Sequence, residues 1–558
     1  MHTLQTLDYV AIGVYMALMA TIGLLLGGLV KDVGAYFKAG GTLPWVAAAI
    51  SNYMSMFSAF IFVAYAGIAY QDGLVAITVV WCTVPPALLG AAIFGPRWRR
   101  AGIMTPVEYL ETRFNAPVRQ FFSWGGIGFG VLNNMVRLYA IGIFISGATP
   151  LSLELAILVA GAIVVVYTFL GGLWAVVLTD TVQFVVLIFT TVILLPLALR
   201  AVGGLGGLRE ALPDHFSFFH GPKGAPLYLL AYNTMISIKY NGNWSFIQRF
   251  YSVRDEAAGR KMGLLMAGLF FVFPFFFLLP AMAARVVVPD LADPQTAYAA
   301  IALRLLPPGI MGLLMAAMFA ATMSAVDSEL NVTAGVFVRD VYERHLRPAA
   351  SPGELMWVAR GTTLVAGGLI VAGAMFVGQI GGAFEANKLL TALIGIPLAV
   401  PLVFGIVLRP PRPWGAVAAV LVGVAAGAVL NLHPEVSWSA ATLIVIGLSV
   451  ATLVASGLIA SRDARYRQRV DALFTRLTTP VPDDQKPVAD PGFRRALLVL
   501  LAVALTAAGT LFVAMSLPSL AELSGVLALA AGLVCCSLAL LVFRVAHGSA
   551  QTPAHPLS

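Results

Sequence analysis

Apolar stretches recur along the whole chain, separated by short polar or basic segments. Each is long enough to cross about 30 Å of hydrocarbon as an α-helix. The pattern predicts about fifteen membrane spans, near 7–30, 42–70, 74–95, 120–148, 151–170, 175–200, 227–248, 262–285, 309–338, 358–378, 388–408, 414–431, 438–460, 495–516 and 521–543. The alternation of a β-barrel strand is absent. Spans 120–148 and 309–338 are the longest. A straight helix of about 30 residues reaches about 45 Å, so both must tilt or protrude. They stand third and eighth of the ten spans from 42 to 408. That equivalence predicts a five-plus-five arrangement of inverted halves with a site at their interface.

Composition narrows the class. Of 558 residues, 59% are hydrophobic and 11% charged, with a mean hydropathy of +0.89. These values exclude a soluble globular or a disordered chain. The net charge of +8 does not point to nucleic acid, because the basic residues gather at span ends. With the N-terminus outside and strict alternation, Arg97, Arg99, Arg100, Arg113, Arg249, Arg254, Arg339, Arg344, Arg409 and Arg412 all fall inside. The expectation is a multi-pass protein of the cytoplasmic membrane, N-terminus outside and C-terminus inside, in contact with lipid and acting as a monomer. The first apolar run lacks a basic n-region and an A-x-A site, and reads as a retained helix. Cys82, Cys535 and Cys536 lie in apolar runs with neither disulfide nor metal spacing.

The expected organisation is an N-terminal span (1–30), a first five-helix repeat (42–201) and a second, inverted repeat (227–408). Two more spans (409–460), a charged, Pro-containing cytoplasmic linker (461–494) and two C-terminal spans with a tail (495–558) follow.

Polar residues inside apolar spans carry the chemistry. A centrally placed Asp costs about 2.5–3.5 kcal/mol on insertion scales, so it needs a partner, an ion or water. Residues 309–338 hold Ser324, Asp327, Ser328, Glu329 and Asn331. In residues 43–70, Ser51, Asn52, Ser55 and Ser58 share one face. Two readings are open there: hydroxyls bonded back to the i−4 carbonyl, or a helix broken around Met54 to Ser58 whose freed carbonyls hold a cation. In residues 168–183, Gly171 and Gly172 form a turn and Thr179, Asp180 and Gln183 enter the next span. Asp180 is either a helix-start carboxylate or part of a cation path. In residues 240–261, Asn241-Gly242-Asn243 favours unwinding, and Lys239 should face a cavity or an anion. Arg137 has an outward snorkel as its route to water, and Glu385 with Lys388 is an i,i+3 pair. The histidines form no intramembrane metal cluster, and no nucleophile–base pair or phosphate-binding loop marks an enzyme.

Together these stretches resemble the solute:sodium symporter family. The matching residues are Leu43-Pro44-Trp45, the GGLxAVxxTDxxQ run from Gly171 to Gln183, Ile247-Gln248-Arg249, and AATMSxxDSxLN…RDxY from Ala320 to Tyr342. The resemblance covers residues 5–460. It implies an all-α membrane protein with a leucine-transporter-type inverted-repeat core and extra helices at both ends. It further implies Na⁺ as coupling ion, no organic cofactor, and a small-molecule solute. Its Na⁺ ligands fall on the carbonyls of Met54, Phe57 and Ala321 and the hydroxyl of Ser324, with Asp180 in support. Ala325 stands where many relatives carry a hydroxyl, and Asp327 is a candidate to compensate. Positions that hold sugar in the family's galactose transporter fall on Ile61, Val80 and Ile236, which disfavours a hexose, since its hydroxyls would be buried unpaired. Ser58, Tyr65, Trp81, Thr83, Lys239, Asn241 and Trp244 remain as solute-site candidates, and Lys239 favours a carboxylate.

The reading is Na⁺-coupled uptake of a small polar organic solute by alternating access. Each positive charge entering gains about 2.3 kcal/mol per 100 mV. The alternatives are proton coupling through Asp180 or Asp327, and a solute sensor without transport, which would bind ligand in liposomes but show no counterflow. Restoring a hydroxyl with Ala325→Ser is expected to tighten Na⁺ binding in calorimetry; equal or weaker binding would remove this position from the ion.

Overall fold

The computed structural model describes residues 4–27, 41–56, 58–103, 105–168, 173–459, 463–483, 486–487 and 491–548. Among them every extended element is helical. Eleven helices are long and apolar enough to cross a membrane, and the pair Trp45–Met56 and Ile61–Asp72, bent by 56°, makes a twelfth. The shorter helices Thr6–Gly27 and Leu153–Thr168, and the interrupted Pro226–Gly242 and Trp244–Ser252, occupy the remaining expected spans.

Two of these spans are broken where the sequence places polar and glycine residues. The first breaks after Met56 and resumes through a π-helical stretch, Ile61–Tyr65. The second breaks at Asn243, whose extended backbone separates two helices. Asn243 starts the second one, its side-chain oxygen accepting from Phe246 N at 3.1 Å. The two broken spans are tied together where Leu43 N donates to the Ser252 carbonyl at 3.1 Å, beside an isolated bridge to Val253.

The helix Ile310–Val336 is the axis of the bundle. All its residues are buried, the polar Ser324, Asp327, Ser328, Glu329 and Asn331 included. It packs against Thr6–Gly27, Trp45–Met56, Ala116–Ala148, Leu153–Thr168 and Leu173–Ala201, and continues as a π-helix from Phe337 to Leu346. Its N-terminus is capped by a distant residue. Asp8 Oδ1 accepts from Gly309 N at 2.7 Å and Gly312 N at 2.8 Å. A carboxylate here satisfies orphan donors and meets the positive end of the helix dipole. Gly312 permits the approach: a Cβ there would lie 2.3 Å from the Asp8 carbonyl oxygen.

One face of the bundle is built from ion pairs. Glu111, on the short helix Glu108–Arg113, accepts from Arg344 at 2.7 Å and Arg119 at 2.8 Å. The hydrogen bond from Arg344 leads in holding its carboxyl down at about 2, with Arg119 adding to it and burial opposing. Arg113 is fully buried. It donates to the carbonyls of Gly405, Leu408 and Arg409 at 2.8–3.0 Å and to Tyr466 Oη at 3.0 Å. Tyr466 belongs to a helix, Ala464–Thr478, in the segment expected to be only a linker. Tyr466, Val470, Leu473, Phe474 and Leu477 make its buried stripe, the helical spacing hidden among its charges.

Asp8→Ala is expected to destabilise the protein by about 1–3 kcal/mol, read as a lower thermal-unfolding midpoint in detergent. An unchanged midpoint would show that this cap does not hold the first helix to the axis.

Candidate functional site

Four helices bring polar side chains to one buried point. Asp180, on Leu173–Ala201, is fully buried. Its carboxylate accepts from Ser51 Oγ at 2.5 Å and from Ser324 Oγ. Arg249, from the second half of the second broken span, reaches Ser328 Oγ at 2.8 Å and Ser51 Oγ at 3.3 Å. The resumed half of the first broken span is held to the axis where Ala59 N donates to Thr322 Oγ1 at 2.9 Å. Asp327 is buried one turn beyond Ser324. The formal charge of Asp180, Asp327 and Arg249 is one negative.

This donor set fits a small hard cation. Such ions take carboxylate, hydroxyl and carbonyl oxygens, and a helix ending at Met56 leaves the carbonyls of its last turn, Met54's among them, without a continuing helix. The Gln183 side-chain oxygen and the Asn52 amide, buried on the same two helices, have no hydrogen-bond partner among the described residues. Met54, Ala321, Ser324 and Asp180 lie buried on the three helices expected; Phe57, Gly171 and Gly172 lie outside the described residues. Ser51, Arg249 and Ser328 join the cluster; the sequence had marked Ser51 on a polar face and Arg249 and Ser328 within the family-matching runs, without giving them a place at the site.

A cavity of 70 Å³ opens between the broken spans. Ser58, Tyr65, Thr83 and Lys239 line it, and so do the apolar Ile61, Val80 and Ile236. Lys239 Nζ donates to Asn387 Oδ1 and Thr391 Oγ1, each at 2.9 Å. At Tyr65 the hydroxyl meets that of Tyr232 at 2.7 Å, and Phe384 packs against both rings. A second cavity, of 60 Å³, lies toward the arginine-rich face. Lys239 and Asn243 line both.

Three candidates fall elsewhere. Trp81 is stacked between Phe218 and Phe271 with ring centroids 5.5 and 5.0 Å away, its indole N–H given to the Phe271 carbonyl at 2.9 Å. It follows Val80 by one residue, about 100° around the helix, and so leaves the cavity wall. Asn241 is two residues from Lys239, on the far side of its helix, and donates to the Pro86 and Ser237 carbonyls. Trp244 lies past the break and lines the second cavity. Its ring is so close to Gly126 that a Cβ there would come within 1.9 Å.

Arg137 does not snorkel outward. It lines the central cavity and turns inward to the Ala325 carbonyl and Asn134 Oδ1, each 3.1 Å away, and to Glu329 Oε1 at 3.4 Å. Asn133 and Asn387, also cavity residues, were not singled out in the sequence. Their signal is there, since Asn133-Asn134 and Arg137 share a face of an apolar span and Asn387 sits between Glu385 and Lys388. Those last two pair at 2.5 Å.

Two spans broken in mid-membrane, a buried polar centre beside them and a cavity between them define a secondary active transporter built on inverted repeats. The chain belongs to the Sodium:solute symporter family, which it matches over residues 36–423. It is 27% identical over 473 residues to the sodium/glucose cotransporter of Vibrio parahaemolyticus, covering 78% of this chain and 86% of that one. It is 29% identical over 480 residues to sodium/myo-inositol cotransporter 2 of Sus scrofa, covering 77% and 70%. Its fold is shared with a Na⁺-coupled sialic acid symporter solved substrate-bound and outward-open, with a TM-score of 0.74 and 22% identity over 82% of this chain and 98% of that one. The chain is a Na⁺-coupled solute transporter and not an enzyme.

Ser324→Ala is expected to raise the Na⁺ concentration for half-maximal uptake about tenfold, the loss of one hydroxyl contact worth about 1–1.5 kcal/mol. An unchanged Na⁺ dependence would remove Ser324 from the ion path.

Proposed function

We propose that the chain takes up a small solute bearing a carboxylate, together with Na⁺, across the cytoplasmic membrane. Na⁺ enters at the Met54, Phe57 and Ala321 carbonyls and the Ser324 hydroxyl, with the Asp180 carboxylate behind them. The solute occupies the cavity lined by Ser58, Tyr65, Thr83 and Lys239. The repeats are residues 42–201 and 227–408; the helices of 409–460 and 495–558 support them, the segment 461–494 is cytoplasmic, and the chain works as a monomer. The N-terminus is outside and the C-terminus inside, which puts Arg100, Arg113 and Arg344 on the cytoplasmic face.

The observation that carries the solute class is a charge count. Arg137 and Lys239 both line the central cavity, and Glu329, 3.4 Å from Arg137, is the carboxylate set against them. One formal positive charge is left over at membrane depth, where an unpaired charge is costly. A solute carboxylate balances it, as Na⁺ balances the single negative charge around Asp180. Ile61, Val80 and Ile236 place apolar side chains in the cavity wall, where a sugar hydroxyl would find no partner, and we read this as disfavouring a hexose.

Alternating access then has a simple form. Na⁺ draws the broken first span against the axis helix and completes the solute cavity; opening toward the arginine-rich face lets both leave. The test is a thermal-shift and uptake comparison of acid–amide pairs, acetate with acetamide and lactate with lactamide, with and without Na⁺. Acids are expected to stabilise the protein only with Na⁺, and Arg137→Gln to weaken that effect about tenfold or more. Equal effects of acids and amides would overturn the carboxylate assignment. Uptake that persists when choline replaces Na⁺ at fixed pH would put the coupling on protons carried by Asp180 or Asp327.

A further inference from the structure

Glu329 stands where the two cavities meet. It is buried and lines the cavity toward the arginine-rich face, while Arg137 and Asn133 line the central one. Its carboxylate is held from three directions: by Asn243 Nδ2 at 3.1 Å, by Arg137 Nη1 at 3.4 Å, and by Asn133 Nδ2 at 3.4 and 3.5 Å. All are longer than the 2.7–2.9 Å typical of charge-assisted hydrogen bonds. The cluster joins the axis helix to Ala116–Ala148 and to the break in the second broken span.

Asn243 gives this contact its leverage. Its side-chain oxygen accepts from Phe246 N at 3.1 Å and Ser245 Oγ at 2.6 Å, which starts the helix Trp244–Ser252. Its amide nitrogen is spent on Glu329. The hinge of a broken span is therefore fastened to the axis helix through one loosely held carboxylate.

We infer that Glu329 is a tethered counter-anion that both partitions the two cavities and sets the charge selectivity of the solute site. Without solute it supplies the anion Arg137 requires in a low-dielectric interior. A solute carboxylate arriving in the central cavity competes for Arg137. Glu329 then yields, with Lys239, which reaches both cavities, as the second cation open to it. Two anions stand against two cations, and the release of Asn243 frees the hinge toward the arginine-rich face. A neutral solute does not displace Glu329, and the partition stays shut. The exchange half rests on the carboxylate reading above; the partition half does not.

The experiment separates the two halves. Thr83→Cys places a thiol in the central cavity, in a chain whose Cys82, Cys535 and Cys536 are replaced by Ala. A membrane-impermeant thiosulfonate is applied to the arginine-rich face without solute. Adding Glu329→Gln is expected to speed labelling about tenfold, and Arg137→Gln, which removes the cation from the same pair, to do likewise. The swap of Arg137→Glu with Glu329→Arg is expected to restore slow labelling. If neither single substitution speeds labelling, the partition is overturned; with two independent variants, misfolding of one leaves the other to decide. In the second arm, acetate binding to the native chain and to Glu329→Gln is followed by Na⁺-dependent thermal shift. Loss of a competing carboxylate is expected to tighten acetate about tenfold and leave acetamide unchanged. Weaker or equal acetate binding, as for a residue that only supports the fold, overturns the exchange. Faster labelling with no acetate binding to either protein retains the partition and overturns the carboxylate reading instead.

Discussion

Everything at the centre of this molecule depends on one buried carboxylate. Asp180 is fully buried, and hydrocarbon offers it nothing. Its partners must come from the protein, and they arrive from the first broken span through Ser51 and from the axis helix through Ser324, with Arg249 alongside. The satisfaction of one ionised group thus decides how four helices meet. The first span breaks after Met56, on one of the helices that meet at this carboxylate.

The neighbouring cavity has the opposite sign. Arg137 and Lys239 exceed Glu329 by one positive charge, while Asp180 and Asp327 exceed Arg249 by one negative charge. Neither centre is formally neutral alone. Two centres of opposite formal charge lie beside the same broken helices, and in a low-dielectric interior the field of each reaches the other further than it would in water.

Around these broken spans the frame is fastened at its ends. Asp8 caps the axis helix on one side. On the other, Glu111 joins Arg119 and Arg344, and Arg113 ties the end of the tenth core span to Tyr466 of the Ala464–Thr478 helix. These contacts lie at span ends, away from the breaks after Met56 and at Asn243. Rigid ends with interrupted middles let a transporter open toward one side at a time without losing its packing.

Hydropathy by itself marked the apolar spans and the polar residues that fall within them. A polar residue in an apolar run is conspicuous whatever surrounds it, so Asp180, Ser324, Lys239 and the Asn241–Asn243 break were legible in the sequence, as was the family. Rotation about each helix axis was not. One residue turns a side chain by about 100°, and only packing decides which side faces the cavity. Val80 and Thr83 line it while Trp81 stacks away from it; Lys239 lines it while Asn241 bonds to the wall behind. Arg137 turned inward because Glu329 and the Ala325 carbonyl, 188 residues away in sequence, stood there to receive it. The cap from Asp8, the Glu329 cluster and the seat of the Ala464–Thr478 helix belong to the tertiary structure alone, since each joins groups that no local pattern relates.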